Sequence, residues 1–337
     1  MASSGGAMHF LRNTKKRKRG RRMKKEEFYF DSRDNKSKIH AVRYTPDGDK
    51  ILGVVQIVHG MAEYVERYEE FACFLTEKGF VVTGEDHLGH GKSVPEGGTY
   101  GYFCEQDPAT VVVRDVHRLK KMTQLVYPSV PYIILGHSMG SFILRNYLCR
   151  YGSGIDGAVI MGTGMQPGAL IALSRVLAGA IRLFCGGRHV SRLLDRAAFG
   201  QYNKKISEPA TSVDWLSRDP ERVAKYVEDP LCGFTFTVNG FQTLTELVAR
   251  IRREKNLNRI PKDIPLLMVS GADDPVGDYG EGVRRAYGSM KAVGIQNILL
   301  KLYESDRHEL LNELDREKVM QDIHEWLLSV ITTCNGI

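Results

Sequence analysis

Gly136-His137-Ser138-Met139-Gly140 is the stretch on which the reading of this chain turns. Before it stands Tyr132-Ile133-Ile134-Leu135, a short apolar run that reads as a buried strand. After it, Ser141 to Tyr151 is apolar on most faces and stopped by Gly152, which reads as a buried helix. A serine between two glycines at a strand-to-helix junction has the layout of a nucleophile elbow. The turn is tight, so its flanks must be small, and the strained serine is lifted above the sheet. The Met139 amide, opening the helix, then points to where a carbonyl oxygen would gain negative charge. With 34 glycines in 337 residues, chance supplies such a pentapeptide about 0.2 times per chain. A glycine-rich turn with an ordinary serine therefore competes with the elbow until partner residues are found.

The flanking sequence alternates strands with helices. Glu27–Phe30 and Ile39–Tyr44, on either side of the polar turn Asp31–Lys38, form a hairpin pattern. Strands follow at Gly53–Val58, Phe80–Thr83, Tyr132–Leu135 and Ala158–Met161, with helices at Tyr64–Lys78, Asp107–Tyr127 and Ser141–Tyr151 between them. Such alternation implies a mostly parallel sheet wrapped on both faces. From Thr163 to Phe236 it stops. Leu170–Phe184 is almost wholly apolar, with Arg175 and Arg182 on a narrow polar stripe, and shorter helices follow at Ser191–Phe199 and Glu221–Val227. Residues 163–236 read as a helical cap inserted over the carboxyl ends of the strands. The long apolar helix serves equally as cap core or as the wall of an acyl pocket. Alternation resumes with a helix at Phe241–Arg253, strands at Ile264–Val269 and Asn297–Tyr303, and helices at Asp278–Val293 and Asp315–Thr332. The expected organisation is an α/β core of residues 26–162 and 237–337 around this cap.

A serine hydroxyl needs a base to take its proton, and that base needs a group to hold its tautomer. In a strand–elbow–helix arrangement the chain order is Ser, then Asp or Glu, then His, each on a loop after a strand. Ser138, Asp274 and His308 satisfy that order. Asp273 and Asp274 are adjacent, and one of them is a turn residue; Asp274 is the candidate acid because Pro275, with its fixed φ, shapes the loop behind it. His308 lies between the last strand and the last helix, where a capping role is the competing reading. His59-Gly60-Met61 follows the strand before the first wrapped helix, so the Met61 amide is the second candidate oxyanion donor beside that of Met139. One such donor is typically worth about 3 kcal/mol in the transition state. Gly89-His90-Gly91-Lys92-Ser93 lacks phosphate-loop spacing, and no metal-ligand spacing appears, so neither cofactor nor metal is expected.

The bulk composition fits a soluble globular protein: 42% hydrophobic, 26% charged. Six dispersed cysteines without a C-x-x-C pair read as reduced thiols in a cytoplasmic protein. No uncharged apolar stretch of about 18 residues occurs, so no spanning helix is expected. The net charge of +7 is local. Residues 1–25 carry ten Lys or Arg and no acid; setting these ten aside from the 47 leaves 37 basic against 40 acidic residues. This segment reads as a disordered tail. It lacks the apolar region of a secretory signal. It is a leader preceding a start at Met23, a solvated charge run, or a contact for anionic lipid or nucleic acid. The aromatics of a single-strand-binding surface are absent, so no specific nucleic acid is expected. Oligomeric state is not readable.

Five stretches carry a resemblance: His59-Gly60-Met61-Ala62-Glu63 with Arg67-Tyr68, Asp86 to Ser93, Gly136 to Gly140, Ser270 to Val276, and Arg307-His308-Glu309 with Asn312-Glu313. The chain resembles the monoacylglycerol lipase and lysophospholipase-like, serine aminopeptidase-type branch of the α/β-hydrolase superfamily. Trp215 to Asp219 and Asp229 to Phe234 are similar to its bacterial members. The resemblance implies an α/β-hydrolase fold and a Ser138–Asp274–His308 triad. It further implies hydrolysis of carboxylic esters through an acyl-enzyme, with a monoacylglycerol or lysophospholipid-type lipid as substrate; peripheral membrane contact through the cap or the basic tail is a separate expectation, since the tail has no counterpart in the family. A carboxylesterase for short or aromatic (cinnamoyl-type) esters and an acyltransferase stay open beside it. So does a non-catalytic hydrolase-fold binding protein. Tyr64 stands where the family often has histidine.

Overall fold

The computed structural model describes residues 23–48 and 50–334. In chain order the elements are β1 (Met23–Asp31), β2 (Lys38–Pro46), β3 (Gly53–Val58), α1 (Glu69–Glu77), β4 (Phe80–Glu85), α2 (Pro108–Val126), β5 (Tyr132–His137), α3 (Met139–Tyr151) and β6 (Gly157–Met161). Then follow α4 (Gly168–Cys185), α5 (Arg192–Phe199), α6 (Pro220–Glu228), α7 (Val238–Arg250), α8 (Glu254–Leu257), β7 (Leu266–Gly271), α9 (Glu281–Ala292), β8 (Ile298–Tyr303) and α10 (Arg316–Cys334).

The strands form one eight-stranded sheet in the order β1-β2-β4-β3-β5-β6-β7-β8. The β1–β2 hairpin joins β4 antiparallel, and every pair from β4 to β8 is parallel. All residues of β3, β4, β5, β6 and β7 are buried. Continuous apolar runs, not alternating ones, are what a sheet covered on both faces demands. α1 and α10 pack on one face; α2, α3, α7 and α9 pack on the other. The fold is that of an α/β-hydrolase.

Between β6 and β7 the described chain holds helices and no named strand. Asp219 caps α6 by accepting from the Glu221 and Arg222 amides, and Ser191 caps α5 by accepting from Leu194. Arg175 and Arg182, though exposed, bond Glu246 and Gln242 of α7 at 2.5 and 2.7 Å, and Leu183 and Phe184 are exposed as well. The sequence reading expected no spanning helix, but α4 is long and apolar enough for one by length and composition, with a mean hydropathy of 1.7, and only 11% of that stretch is buried.

One boundary is corrected. Met23, Lys24 and Lys25, grouped on composition with the basic tail, open β1 opposite Pro46, Thr45 and Tyr44. Backbone pairing, with the Lys25 ammonium bound to Glu66, outweighs their local charge. Residues 1–22 lie outside the described residues.

Candidate active site

β5 ends at His137, and Ser138 stands alone before α3 with φ 55° and ψ −122°. A non-glycine residue held there stores about 1–3 kcal/mol of strain, which the surroundings must impose. They do so by proximity. A Cβ on Gly140 would sit 1.9 Å from the Val58 carbonyl oxygen, and one on Gly136 would sit 2.4 Å from that of Gly140. The Ser138 amide donates to Met161 O at 3.0 Å, tying the elbow to β6.

Asp274 and His308 come together on neighbouring loops. β7 and β8 are parallel partners, so the loops after their carboxyl ends are adjacent. His308 Nδ1 lies 2.9 Å from Asp274 Oδ2, and both residues are buried. The Val276 amide donates to Asp274 Oδ1 at 2.8 Å. Asp273, the competing acid, is exposed. Ser138 and His308 line the same cavity, of about 800 Å³, together with Met61 and Met139. Ser138 Oγ makes no hydrogen bond to His308 among the described residues; such contacts often tighten only when a substrate is engaged. The Gly60 position abuts Ser138, since a Cβ there would lie 3.0 Å from Ser138 Cβ.

A second, buried polar layer supports these groups, and the sequence reading assigned it no role. Glu63 Oε1 accepts from the Gly60 amide at 2.5 Å and from Tyr68 Oη at 2.8 Å, and lies 3.4 Å from His137 Nδ1. His137 Nε2 donates to the His308 carbonyl at 3.2 Å. His137 Nδ1 also lies 2.9 Å from Tyr68 Oη. Burial opposes a positive charge on this ring, but the hydrogen bond and charge of Glu63 outweigh it and raise the His137 pKa. Glu63 is held well below the usual carboxylate range: burial works against ionisation and the Arg67 guanidinium overcomes it. Arg67 also grips Glu309 through two bonds of 2.6 and 2.8 Å. The elbow, the loop after β3 and the His308 loop are thus clamped by one network. The i,i+4 spacing of Glu63 and Arg67 is the signal that was available for it.

The remaining histidine cluster is structural. His59, His87 and His90 are buried against one another. Burial, reinforced by His59, pushes His90 down to about 3. Tyr64, the departure from the family pattern, donates to Asp229 at 2.8 Å and ties the oxyanion loop to the helical insertion. Two groups with metal-ligand proximity, Glu27/His40/Glu66 and Asp306/Glu313/Asp315, already hold Lys92 and Arg218 respectively.

Comparison with known proteins agrees with this architecture. The family model "Serine aminopeptidase, S33" matches residues 49–315. A monoacylglycerol lipase from Mycolicibacterium smegmatis is 29% identical over 85% of this chain and 91% of its own. The human monoglyceride lipase is 28% identical over 81% of this chain and 82% of its own. A thermostable carboxyl esterase from Bacillus coagulans, solved with glycerol, superposes with a TM-score of 0.85 at 32% identity, covering 91% of this chain and 99% of the esterase. The chain therefore belongs to the serine aminopeptidase S33 family of α/β-hydrolases, in its monoacylglycerol lipase-like branch, and is a carboxylic ester hydrolase.

Proposed function

We propose that the protein hydrolyses single-chain lipid esters, monoacylglycerols or lysophospholipid-type lipids, through an acyl-enzyme on Ser138. Ser138 Oγ attacks the ester carbonyl carbon while its proton passes to His308 Nε2. The carbonyl electron pair moves onto the oxygen, which the Met61 and Met139 amides hold. Collapse of this intermediate expels the alcohol, which takes the proton from His308. Water then attacks the acyl-enzyme with the same histidine as base, releasing the fatty acid and restoring Ser138. Asp274 fixes the His308 tautomer and stabilises the imidazolium. These side chains supply the whole of the chemistry, so no cofactor is invoked.

The observation that carries this reading is the buried 2.9 Å His308–Asp274 bond at the cavity that Ser138 also lines. Apolar walls contributed by α4 and α7, including Leu170, Leu177 and Leu244, suit an acyl chain. The exposed side of α4 suits a lipid surface, so residues 163–236 act as a cap that docks peripherally on membranes. The carboxyl esterase similarity favours one second reading, an esterase for short or aromatic acyl groups.

A fluorophosphonate probe is expected to label Ser138 in the folded protein, and Ser138→Ala to lower kcat/KM by about 10⁴-fold or more. Absence of labelling would leave a binding protein. A series of monoacylglycerols and aryl esters compared by kcat/KM is expected to favour long acyl chains. Flat selectivity, or a preference for aryl esters, would hand the assignment to the esterase.

A further inference from the structure

The segment between β6 and β7 packs Trp215 against the candidate triad. Trp215 packs its indole 5.1 Å from the His308 imidazole, ring centroid to centroid, with the planes tilted by 45°. The contact is built, not incidental. The His308 and Glu309 amides donate to the carbonyls of Trp215 and Leu216 at 3.4 and 2.7 Å. Arg307 Nη1 donates to Asp214 O at 2.7 Å and to Ser217 O at 3.1 Å. Arg218 bonds Glu313 at 2.9 Å through its side chain, and Asp315 at 2.9 Å. Trp215 also meets Tyr202 edge-on at 4.9 Å, and its amide donates to Asn203 Oδ1 at 2.9 Å. Its backbone is therefore tied to two segments while its indole touches both His308 and Tyr202.

We propose that Trp215 is a positioning residue for His308, and that its π-face stabilises the imidazolium formed when Ser138 gives up its proton. This rests on the reading of His308 as the general base. A cation within about 6 Å of an aromatic ring centroid is attracted by the ring quadrupole, most strongly for Trp. The charge exists only after proton transfer, so the attraction lowers the barrier more than it tightens substrate binding. The indole also shields the Asp274–His308 bond from water, which strengthens it. The other groups around the imidazole are Asp274 on the β7 loop, His137 in the elbow with Glu63 behind it, and Arg307 and Glu309 on its own loop. Substitution of Trp215 by Leu or Phe adds or removes no charge among them.

The test uses the full chain, with Trp215→Leu, which keeps an apolar side chain, and Trp215→Phe, which keeps a π-face. Both are assayed on a soluble short-chain aryl ester from about pH 5 to 9. Trp215→Leu is expected to lower kcat about tenfold with KM within about twofold, and to move the acid limb of kcat/KM about half a pH unit lower. Trp215→Phe is expected to recover most of kcat and about half of the limb shift, because benzene is the weaker π-donor. A Trp215→Leu enzyme with wild-type kcat and an unmoved limb, changed in KM alone, would reduce Trp215 to a cavity wall. Equal losses in both variants, accompanied by a lowered Tm, would reduce it to a packing residue. If Trp215→Leu does not fold, Trp215→Phe decides: an unmoved limb with full kcat overturns the proposal. Ser138→Ala separates the two failures, since an active Ser138→Ala enzyme refutes the serine mechanism and leaves the Trp215 variants uninterpreted by it.

Discussion

Asp115 is a carboxyl that the fold prefers uncharged. It sits on α2, 2% exposed, accepting from Ser32 Oγ at 2.7 Å and from the Arg33 amide at 2.6 Å. Burial outweighs these bonds and pushes its pKa from 3.8 up to about 7. Glu85 nearby is raised well above its usual range by burial, with Asp115 adding to the effect. The folded chain therefore holds a proton at Asp115 that the unfolded chain releases. Its contribution to stability is complete below pH 3.8 and is lost as pH rises to about 7, at about 1.4 kcal/mol per unit. Asp115→Asn imitates the protonated carboxyl in shape, and Ser32 can reverse its hydroxyl to accept from the new amide. Chemical denaturation of the variant is expected to match wild type near pH 4 and to exceed it above pH 7. A difference independent of pH would refute the assignment of the proton to Asp115.

At the scale of the element, the elbow is set by contact between α3 and β3. Gly140 is where the two backbones nearly touch, so a methyl there meets the Val58 and His59 carbonyls at 1.9 and 2.6 Å. Neither carbonyl is the end of a flexible side chain, so α3 must shift and carry the Met139 amide with it. Gly140→Ala is expected to cost about 1–3 kcal/mol or more in stability and to depress kcat more than KM. Gly179→Ala is the control: it lies within α4 with nothing within 4 Å of a new Cβ, and is expected to gain about 0.5–1 kcal/mol. Denaturant midpoints and steady-state kinetics on the pair check both signs.

The elbow's legibility has the same cause. Tyr132–Leu135 read as a strand because a sheet buried on both faces leaves no room for polar alternation, and the glycines beside Ser138 announced the tight turn. Asp274 and His308 were legible because each follows a strand, and parallel neighbours bring such loops together. Trp215 was quoted only for resemblance: nothing in its own segment says that it will lie against His308, 93 residues later in the chain. Glu63 and His137 were passed over for a similar reason. Their roles depend on a buried ion network whose cation, Arg67, also reaches Glu309 across the sheet. Nor can composition say which side of α4 faces solvent, because a stripe of two arginines can bind α7 as readily as water.

For the whole molecule, that orientation of α4 sets how substrate is reached. Val176, Leu183 and Phe184 are 70%, 80% and 85% exposed, and none of the three lines the cavity. Leu170 and Leu177 on the same helix do line it. One helix thus borders both the cavity and an apolar outer face, the arrangement that the proposed lipid substrate would need in order to enter from a bilayer. Fully burying a Val, Leu or Phe side chain is worth about 1.5–3 kcal/mol, so partial burial of the three would supply a reversible contribution to any contact with a lipid surface. The triple variant Val176→Gln, Leu183→Gln, Phe184→Gln is expected to sediment with neutral phosphatidylcholine vesicles at least about tenfold less well. Turnover of monoacylglycerol carried in those vesicles should fall in parallel, while kcat/KM on a soluble short-chain ester stays within about twofold of wild type, because the cavity walls and the elbow are untouched. Neutral lipid keeps basic residues from contributing through charge. If sedimentation and interfacial turnover survive the three substitutions, the outer face of α4 is not what meets the membrane.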